Sequence, residues 1–389
     1  MSANGADALA GRTLLLISAF DPLAVGNGSS LRAQRWCDTL AASVAPSGHF
    51  DAVVVPVVYT PPTSPYRRLE LPGDDEIDAR AALLAQPRWR DWMVRASPLP
   101  PAAASAPPWM GRELLGSLGH RPDAVVAFKM ALAPMAADLA AECGAALLVD
   151  VDDDEPSLAL DVGSPHADAL ERLLRGVSEL ADVMTLAAPT EAAAVASRVA
   201  GRGDVAVVPN VVDLPPVPPP GEAGRVVYIA NFDYQPNRVA ARWLLDDVMP
   251  HVRGDVRLDL VGPFGDLLQP GAPGLVPDVA PYLTAASVVV CPLLHGAGTS
   301  IKVLEAMAYG RPVVTTSIGI RGLDVVPDEH VLVADDAPAF GAAVSSLLAD
   351  RDAATAMGMR ARDLVARRYS SAVGADAMVS AVAAALGRR

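Results

Sequence analysis

Short apolar runs alternate with helical patterns along most of this 389-residue chain, and this alternation is what most constrains its fold. Residues 13–20 (TLLLISAF) and 123–130 (DAVVAFKM) are typical examples of the apolar runs. Nearly continuous apolar strands belong to parallel sheets whose two faces are both covered by helices. The sequence therefore predicts an α/β fold built on doubly wound parallel sheets.

A proline-rich stretch divides the chain into two such halves. Residues 209–224 (PNVVDLPPVPPPGEAG) have the composition of a stiff spacer, and the strand–helix alternation restarts directly after them. The length also suggests about two domains. We predict an N-terminal domain at residues 1–209, a hinge at 210–224, a second domain at 225–370 and a C-terminal helix at 371–389. Whether that helix packs back on the first domain stays open.

The sequence also predicts the bounds of several individual elements. Residues 235–249 read as one helix, and residues 274–276 (GLV) read as a short strand. Thr190 is predicted to cap a helix that ends near residue 200. Residues 60–108 are rich in Pro, Arg and Trp and lack a period, so we expect an irregular excursion with helical pieces.

Charge and cysteine content limit the class of protein. The formal net charge is −14 and no basic stripe is present, which argues against nucleic acid as a partner. The three cysteines are far apart and read as free thiols of a reducing compartment. The sequence shows neither a signal-peptide pattern nor about 18 consecutive apolar residues. We therefore expect a cytoplasmic protein without a membrane span; peripheral membrane contact stays open.

Residues 295–310 (HGAGTSIKVLEAMAYG) predict a glycine-rich loop that leads into a short helix. Gly296 and Gly298 would place unpaired N–H groups and the positive end of the helix dipole where a phosphate fits. Lys302 adds a cation in the first turn. Glu305, three residues on, could accept hydrogen bonds from a sugar diol. Gly310 ends the helix. The segment thus offers a diphosphate site and a ribose site.

Less specific interpretations of this segment remain open. Glycine-rich loops occur in α/β folds without ligands, and Lys302 and Glu305 could form a surface pair worth a few tenths of a kcal/mol. The loop lacks the Gly-Lys-Ser/Thr of a P-loop. Ile301 occupies the place of the third glycine of a dinucleotide fingerprint, which disfavours an oxidoreductase.

Two other features suggest chemistry less strongly. The acidic run at residues 149–155 (VDVDDDE) could offer oxygen ligands to Mg²⁺ or Mn²⁺. We favour the alternative, in which the run caps the next segment and faces solvent. His295 could act as a general base, but a single loop histidine is more often incidental. The histidines show no zinc-protease spacing, and no G-x-S-x-G motif is present to anchor hydrolase chemistry.

Four loops follow predicted strands, at residues 21–30, 231–237, 263–266 and 295–300. Ligands of open α/β sheets bind beyond the carboxyl ends of the strands. We expect two domains to place these loops on facing edges of a cleft, with a donor substrate on one side and an acceptor on the other.

These segments resemble a known family. Residues 298–323 (GTSIKVLEAMAYGRPVVTTSIGIRGL) look like the donor-site signature of family-four retaining glycosyltransferases, the glycosyl transferases group 1. Residues 228–250 (YIANFDYQPNRVAARWLLDDVMP) resemble the first strand and helix of the second domain in one subgroup. Residues 207–213 (VVPNVVD) resemble the hinge strand. Weaker likenesses lie at 125–134 (VVAFKMALAP) and 147–155 (LLVDVDDDE).

The resemblance implies the GT-B fold, in which two Rossmann-like domains face each other across a cleft. It further implies transfer of a sugar from a nucleotide-diphosphate sugar to a glycan, lipid-linked or natural-product acceptor, with retention, without a bound metal and without another cofactor. By position, Glu305 matches the second Glu of the family's E-x7-E motif, which holds the ribose hydroxyls, and Lys302 matches the cation near the phosphates. The other residues assigned by position are Gly298, Thr299 and Ser300 in the phosphate loop, Asn231 in the first donor-domain loop, Leu275 and Val276 beside the base, and Gly26, Asn27, Gly28 and Ser29 in the first-domain loop near the acceptor.

The sequence departs from the family pattern in two places. Ala297 stands where the first Glu of E-x7-E is expected, and residues 231–237 lack the family's frequent cations. Lys302, Arg238 and Arg321 are then the candidates that neutralise the leaving diphosphate. A nucleotide-sugar epimerase and a catalytically silent nucleotide-sugar-binding protein remain as alternatives. The nucleotide base, the sugar and the acceptor cannot be read from the sequence.

Overall fold

The chain forms two compact units, each with one parallel sheet. The computed structural model describes residues 8–24, 28–55, 67–68, 106, 109–199, 201, 203–296 and 298–389. The first unit lies within residues 1–209, without 25–27, and also includes residues 374–389; the second unit covers residues 210–373. Gly26, Asn27, Ala297 and most of the excursion at 60–108 lie outside the described residues.

The first unit contains a seven-stranded sheet. Its strands are β1 (Thr13–Ser18), β2 (His49–Val54), β3 (Arg67–Arg68), β4 (Ala124–Phe128), β5 (Ala146–Asp152), β6 (Val183–Leu186) and β7 (Asp204–Val207). They are ordered β3-β2-β1-β4-β5-β6-β7, and every neighbouring pair is parallel. The predicted doubly wound parallel sheet is therefore confirmed for this unit.

Helices cover both faces of this sheet. They are α1 (Gly28–Val44), α2 (Trp109–Ser117), α3 (Ala133–Cys143), α4 (Glu155–Asp161), α5 (Ala167–Leu180) and α6 (Pro189–Arg198). Leu15 and Ile17 of β1 pack in one buried cluster with α2, α3 and α5, whereas Leu14 and Leu16 pack in another with Trp36 of α1. Successive strand residues point to opposite faces, so a strand between two helical layers is apolar at every position.

The second unit repeats this architecture with five strands. They are β8 (Arg225–Ile229), β9 (Arg257–Val261), β10 (Val288–Cys291), β11 (Val313–Thr315) and β12 (Leu332–Val333), in the order β12-β11-β10-β8-β9, and all pairs are parallel. Its helices are α7 (Gln235–Trp243), α8 (Gly265–Leu268), α9 (Ala280–Ala285), α10 (Ile301–Ala308), α11 (Ala337–Ala349) and α12 (Arg351–Arg368). One buried apolar cluster forms the core of this unit.

The last helix, α13 (Ser371–Leu386), belongs mainly to the first unit. Its Met378, Val379, Val382 and Ala385 are buried in the same cluster as Trp36. Just before the helix, Ser370 forms a bridge with Val212 of the linker, within the second unit. In the part of the chain that the structure describes, no helix is long and apolar enough to cross a membrane.

Two local predictions are wrong, and a third is confirmed in extent only. Residues 235–249 are helical as predicted, but the α-helix ends at Trp243 and is continued by a π-helical turn (Leu244–Val248) and a 3₁₀ turn (Met249–His251), because Pro250 lacks an N–H and its ring clashes with a carbonyl of an ideal α-helix. Residues 274–276 form no strand: Gly274 makes a single bridge with Val261, since the flanking prolines cannot donate to a ladder.

The second wrong prediction concerns the start of α6. Ala188, and not Thr190, occupies the N-cap position, and it provides no side-chain hydrogen bond. Pro189 takes the first helical position instead. Its fixed φ is already helical and its missing N–H costs nothing there. The helices α2 and α4 were not predicted individually.

Candidate functional site

The glycine-rich loop runs from the carboxyl end of β10 to the start of α10. Gly298 has a φ of 70°, in the left-handed region that favours glycine. The Ser300 carbonyl accepts hydrogen bonds from the N–H groups of Val303 and Leu304 at 3.1 and 3.2 Å, which closes the first helical turn. Gly310 ends the helix with a φ of 65°. The first N–H groups of α10 and its positive dipole end therefore lie at the carboxyl edge of the sheet.

The side chain of Thr299 anchors this loop to the linker. Its buried hydroxyl oxygen accepts a hydrogen bond from the Asn210 amide nitrogen at 2.9 Å, and the Asn210 side chain is buried as well. A hydroxyl that accepts in this way still has its own hydrogen to donate. The contact fixes the position of the phosphate loop relative to the residue that begins the second unit.

Lys302 is joined to the first loop of the second unit through Asn237. The Lys302 ammonium donates to Asn237 Oδ1 at 3.1 Å, and Asn237 Nδ2 donates to the Asn231 carbonyl oxygen at 2.8 Å. Asn237 is buried, with 6% of its surface exposed. An ammonium carries three donors, and this contact uses one of them. Asn237 thus brings Lys302 and the Asn231 loop together.

Glu305 is a partly buried carboxylate that accepts no hydrogen bond from any residue described in the structure. Burial raises the pKa of Glu305, the charge of Lys302 opposes part of that rise, and the resulting pKa is about 7. The two side chains are neighbours on α10 because residues three apart share a helix face. An acceptor held at a raised pKa gains from any ligand that donates hydrogen bonds to it.

Two arginines lie near the same loops. An Arg321 nitrogen donates to the Gly296 carbonyl oxygen at 3.0 Å. Arg238 donates to the Phe232 and Asp233 carbonyl oxygens at 3.4 and 3.3 Å. Lys302 and Arg238 therefore contact residues of the loop at 231–237. Arg321 contacts the loop at 295–300.

The loop after β9 approaches the first loop closely. Gly262 donates its N–H to the Gly274 carbonyl oxygen at 2.7 Å, and a Cβ added at Gly262 would lie 2.0 Å from the Ala230 carbonyl oxygen. Leu275 follows and is 65% exposed, whereas Val276 is partly buried against the core. An exposed leucine beside polar loops offers an apolar contact to a planar ring.

In the first unit, Gly28 and Ser29 are the opening residues of α1, while Gly26 and Asn27 lie outside the described residues. The expectation that the acidic run at 149–155 faces solvent is wrong for three of its members. Asp150, Asp152 and Asp154 are all less than 5% exposed. The expectation that the run caps the next segment is confirmed, because Asp154 accepts a hydrogen bond from an N–H in the first turn of α4.

Distant cations neutralise these buried carboxylates. Arg32 makes two hydrogen bonds of 2.8 Å to Asp150, and Lys129 lies 3.0 Å from Asp152. Burial alone would lower the pKa of Lys129, yet the neighbouring carboxylates raise it above its usual range. Burial and Asp152 raise the pKa of Asp153 to about 7. Each carboxylate is therefore part of an ion-pair network.

The sequence did not single out Asn210, Asn237, Arg32 or Lys129. Asn237, Asn210 and Lys129 lie in stretches quoted above for the family resemblance, at 228–250, 207–213 and 125–134, and these stretches were the available signal for them. For Arg32 no local signal exists, since its partner Asp150 lies 118 residues away.

Comparison with known proteins supports a glycosyltransferase. Residues 223–350 match the family model of glycosyl transferases group 1, which covers the β8–α11 region and contains Lys302 and Glu305. No curated protein sequence matches the chain.

Solved structures show the fold. The chain is similar to sucrose-phosphate synthase from Thermosynechococcus elongatus, with a TM-score of 0.70 and 20% identity over 94% of this chain and 96% of that one. It is similar to Anabaena HepE, solved in complex with UDP-glucose, with a TM-score of 0.68 and 10% identity over 95% and 98% of the two chains. The apo lipopolysaccharide outer core galactosyltransferase WaaB gives 0.63 and 13% over 95% and 99%. The predicted GT-B fold is thereby confirmed.

Proposed function

We propose that this protein is a retaining glycosyltransferase that moves a sugar from a nucleotide-diphosphate sugar to a glycan, lipid-linked or natural-product acceptor without a metal ion. The observation that carries the proposal is the pair of side chains on α10. Lys302 is held at the helix N-terminus by Asn237, and Glu305 is partly buried without a hydrogen-bond donor from the described residues. A cation beside a phosphate-binding loop suits the diphosphate of a nucleotide. A hydrogen-bond-accepting carboxylate one helical turn later suits the hydroxyl groups of its ribose.

In this proposal each part of the donor has its own contacts. The N–H groups of residues 298–300, the dipole of α10 and Lys302 bind the diphosphate. Glu305 accepts hydrogen bonds from the ribose hydroxyls, and Asn231 approaches the phosphates from the first loop. Leu275 and Val276 contact the base. Because the HepE structure was solved with UDP-glucose, we choose UDP-glucose as the first donor to test.

The chemistry needs no protein nucleophile. The bond between the anomeric carbon and the β-phosphate oxygen breaks, and negative charge grows on that phosphate. Preorganised donors aimed at the developing charge stabilise the transition state, and Lys302 and the α10 N-terminus supply them. The leaving phosphate oxygen takes the proton of the acceptor hydroxyl, which attacks from the same face of the sugar. This geometry gives retention, and it does not require a carboxylate at Ala297.

We assign acceptor binding to residues 26–29, of which Gly28 and Ser29 are the first two residues of α1. The identity of the acceptor depends on the side chains of this site, because enzymes that share a fold differ in their site residues.

Donor binding is tested first by thermal stabilisation. The full-length protein is melted with UDP, GDP, ADP, TDP and their sugars, with and without EDTA. A ligand at about one hundred times its dissociation constant adds about 2.7 kcal/mol. We expect one base to stabilise the protein, and the increase in melting temperature that it causes should be the same with and without EDTA. Glu305→Ala should weaken binding by roughly 1.5–3 kcal/mol, because it removes hydrogen bonds to a charged group.

The matched control is Glu329→Ala, which removes a glutamate of the same unit whose side chain is 53% exposed. It should bind the donor like the wild type. Wild-type affinity in Glu305→Ala would contradict the assigned donor site. Stabilisation that requires a divalent ion would contradict the metal-free mechanism.

Turnover separates the enzyme from its alternatives. Radiolabelled donor is incubated with extracts that contain candidate glycan, lipid-linked or natural-product acceptors. The anomeric configuration of the product is then determined by NMR. A retained configuration supports the proposal, and an inverted one contradicts the mechanism. Conversion of the donor sugar to its epimer would identify an epimerase. Donor binding without any turnover would identify a silent binding protein.

A further inference from the structure

Three side chains of metal-ligand type meet in the first unit, outside the candidate site. They are His49, Asp51 and His120, and their ligand atoms all lie within 4.8 Å of one another. Nε2 of His120 lies 3.0 Å from Asp51 Oδ2, and Nε2 of His49 lies 3.4 Å from the same oxygen. The two imidazole rings contact each other edge to face, with their centroids 3.5 Å apart.

The fold places these groups together through regular backbone. His49 and Asp51 are two residues apart in β2, so their side chains project from the same face of the sheet. His120 lies in the loop just before β4, and two hydrogen bonds join that loop to the first residue of β1. Asp123 donates its N–H to the Thr13 carbonyl oxygen at 2.7 Å, and its carboxylate accepts from the Thr13 N–H at 2.8 Å. Strand β2 and the hydrogen bonds between Asp123 and Thr13 therefore hold the backbone of the three residues in place.

Two of the three ligand spacings suit a tetrahedral zinc site. In a tetrahedral zinc site with bonds of about 2.0–2.1 Å, neighbouring ligand atoms are about 3.3 Å apart. The two nitrogen–oxygen distances measured here, 3.0 and 3.4 Å, bracket that value. Two imidazole nitrogens and one carboxylate oxygen are a donor set that suits Zn²⁺ better than Mg²⁺ or Ca²⁺, which prefer oxygen alone.

We propose that His49, Asp51 and His120 form a zinc site, with water as the fourth ligand. The three side chains are exposed or half-buried, so an ion and its water can reach them. His120 also borders a surface groove of about 450 Å³ that Arg112 and Arg121 help to line. The site is distinct from donor binding, which we place in the second unit.

The position of the trio indicates a structural role. It lies at the amino ends of β2 and β4, whereas substrates of open α/β sheets bind beyond the carboxyl ends. Asp51 and His120 are 69 residues apart in sequence. An ion that binds the three side chains in the folded state, and not in the unfolded chain, stabilises the folded protein by mass action. The ion should therefore raise the melting temperature without changing donor affinity.

The test uses full-length, untagged protein that has been stripped with EDTA and dialysed into metal-free buffer. Zinc chloride is titrated by calorimetry, and Co²⁺ is added separately to read the coordination number from its visible absorption. We expect one Zn²⁺ per chain, a tetrahedral Co²⁺ spectrum and a higher melting temperature with Zn²⁺. His120→Ala and Asp51→Asn should each weaken Zn²⁺ binding at least tenfold and abolish the shift in melting temperature.

His251→Gln is the control, because it removes an exposed histidine of the second unit. It should bind Zn²⁺ like the wild type. If His120→Ala fails to fold, His49→Gln takes its place, since it leaves the loop before β4 intact. Absence of Zn²⁺ binding in the wild type overturns the proposal. So does Zn²⁺ binding that the trio variants retain and His251→Gln loses.

Discussion

The raised pKa of Glu305 predicts that donor binding depends on pH in a definite direction. Burial holds this pKa at about 7 in the unliganded protein, so the neutral and the ionised forms of the Glu305 carboxyl group are both populated near pH 7. Ribose hydroxyls that donate to Glu305 favour its ionised form, and binding must then release a proton below pH 7. One pKa unit corresponds to about 1.36 kcal/mol, so affinity should fall about tenfold per pH unit below 7. Above about pH 8 it should be constant.

The assay is calorimetric titration with UDP-glucose between about pH 5.5 and 8.5 at constant ionic strength. Both phosphates of this donor are esterified, so it lacks the ionisation near pH 6 of a terminal phosphate. Glu305→Gln is the matched control, because an amide of the same shape cannot titrate. It should bind more weakly at pH 8 and show a flat profile. A wild-type affinity that does not change with pH, or an equal slope in Glu305→Gln, would refute the reasoning.

The same pKa has an opposite consequence for stability. A carboxyl whose folded-state pKa is raised binds its proton more tightly in the folded state, so its stabilising contribution is complete below its unfolded-state value. That contribution is lost as pH rises from 4.5 to about 7. The difference corresponds to at most about 3 kcal/mol, and less for a group that water partly reaches. Glu305→Gln should therefore be more stable than the wild type at pH 8 but not at pH 4.5, as denaturant melts at both pH values would show.

Four further variants test the supporting structure. Asn237→Ala removes the hydrogen bond to Lys302 and should weaken donor binding by about 1–2 kcal/mol in calorimetry, whereas unchanged affinity would exclude this positioning role. Lys129→Met leaves buried carboxylates without their cation and should lower the free energy of unfolding by about 3–5 kcal/mol. Arg112→Met, which removes a mostly exposed partner of a carboxylate, should cost less than about 1 kcal/mol in the same melts, and equal losses would contradict the argument. Gly262→Ala places a Cβ 2.0 Å from the Ala230 carbonyl oxygen and should lower the melting temperature; an unchanged melt would refute that close approach.

Local periodicity predicted the strands and most helices because each pattern is contained within one element. The two parallel sheets follow from the alternation, and Lys302 and Glu305 were found because both lie in one turn of α10. Their neighbour Asn237 was not singled out, since it lies 65 residues from Lys302 in sequence. A contact of that separation joins the first turn of α7 to the first turn of α10, and no local pattern encodes it.

The acidic run at 149–155 also shows that local patterns predict contacts between adjacent residues but not contacts between distant ones. Its capping role was predictable, because the cap and the helix that it begins are adjacent. Its burial was not, because the cation that neutralises Asp150 comes from Arg32, 118 residues earlier. A charged residue is read as exposed unless its counterion is known. The strand expected at 274–276 was wrong for a simpler reason: its two flanking prolines outweighed its apolar composition.

The position of α13 has a consequence for how this chain folds during synthesis. The hydrophobic cluster around Trp36 includes Val379 and Val382, which leave the ribosome after every residue of the second unit. Part of the first unit's core is therefore missing until residues 378–385 have been synthesised, although the strands of its sheet are made much earlier. During that interval an apolar face remains open to chaperones or to self-association. A truncation after residue 209 would make this intermediate permanent.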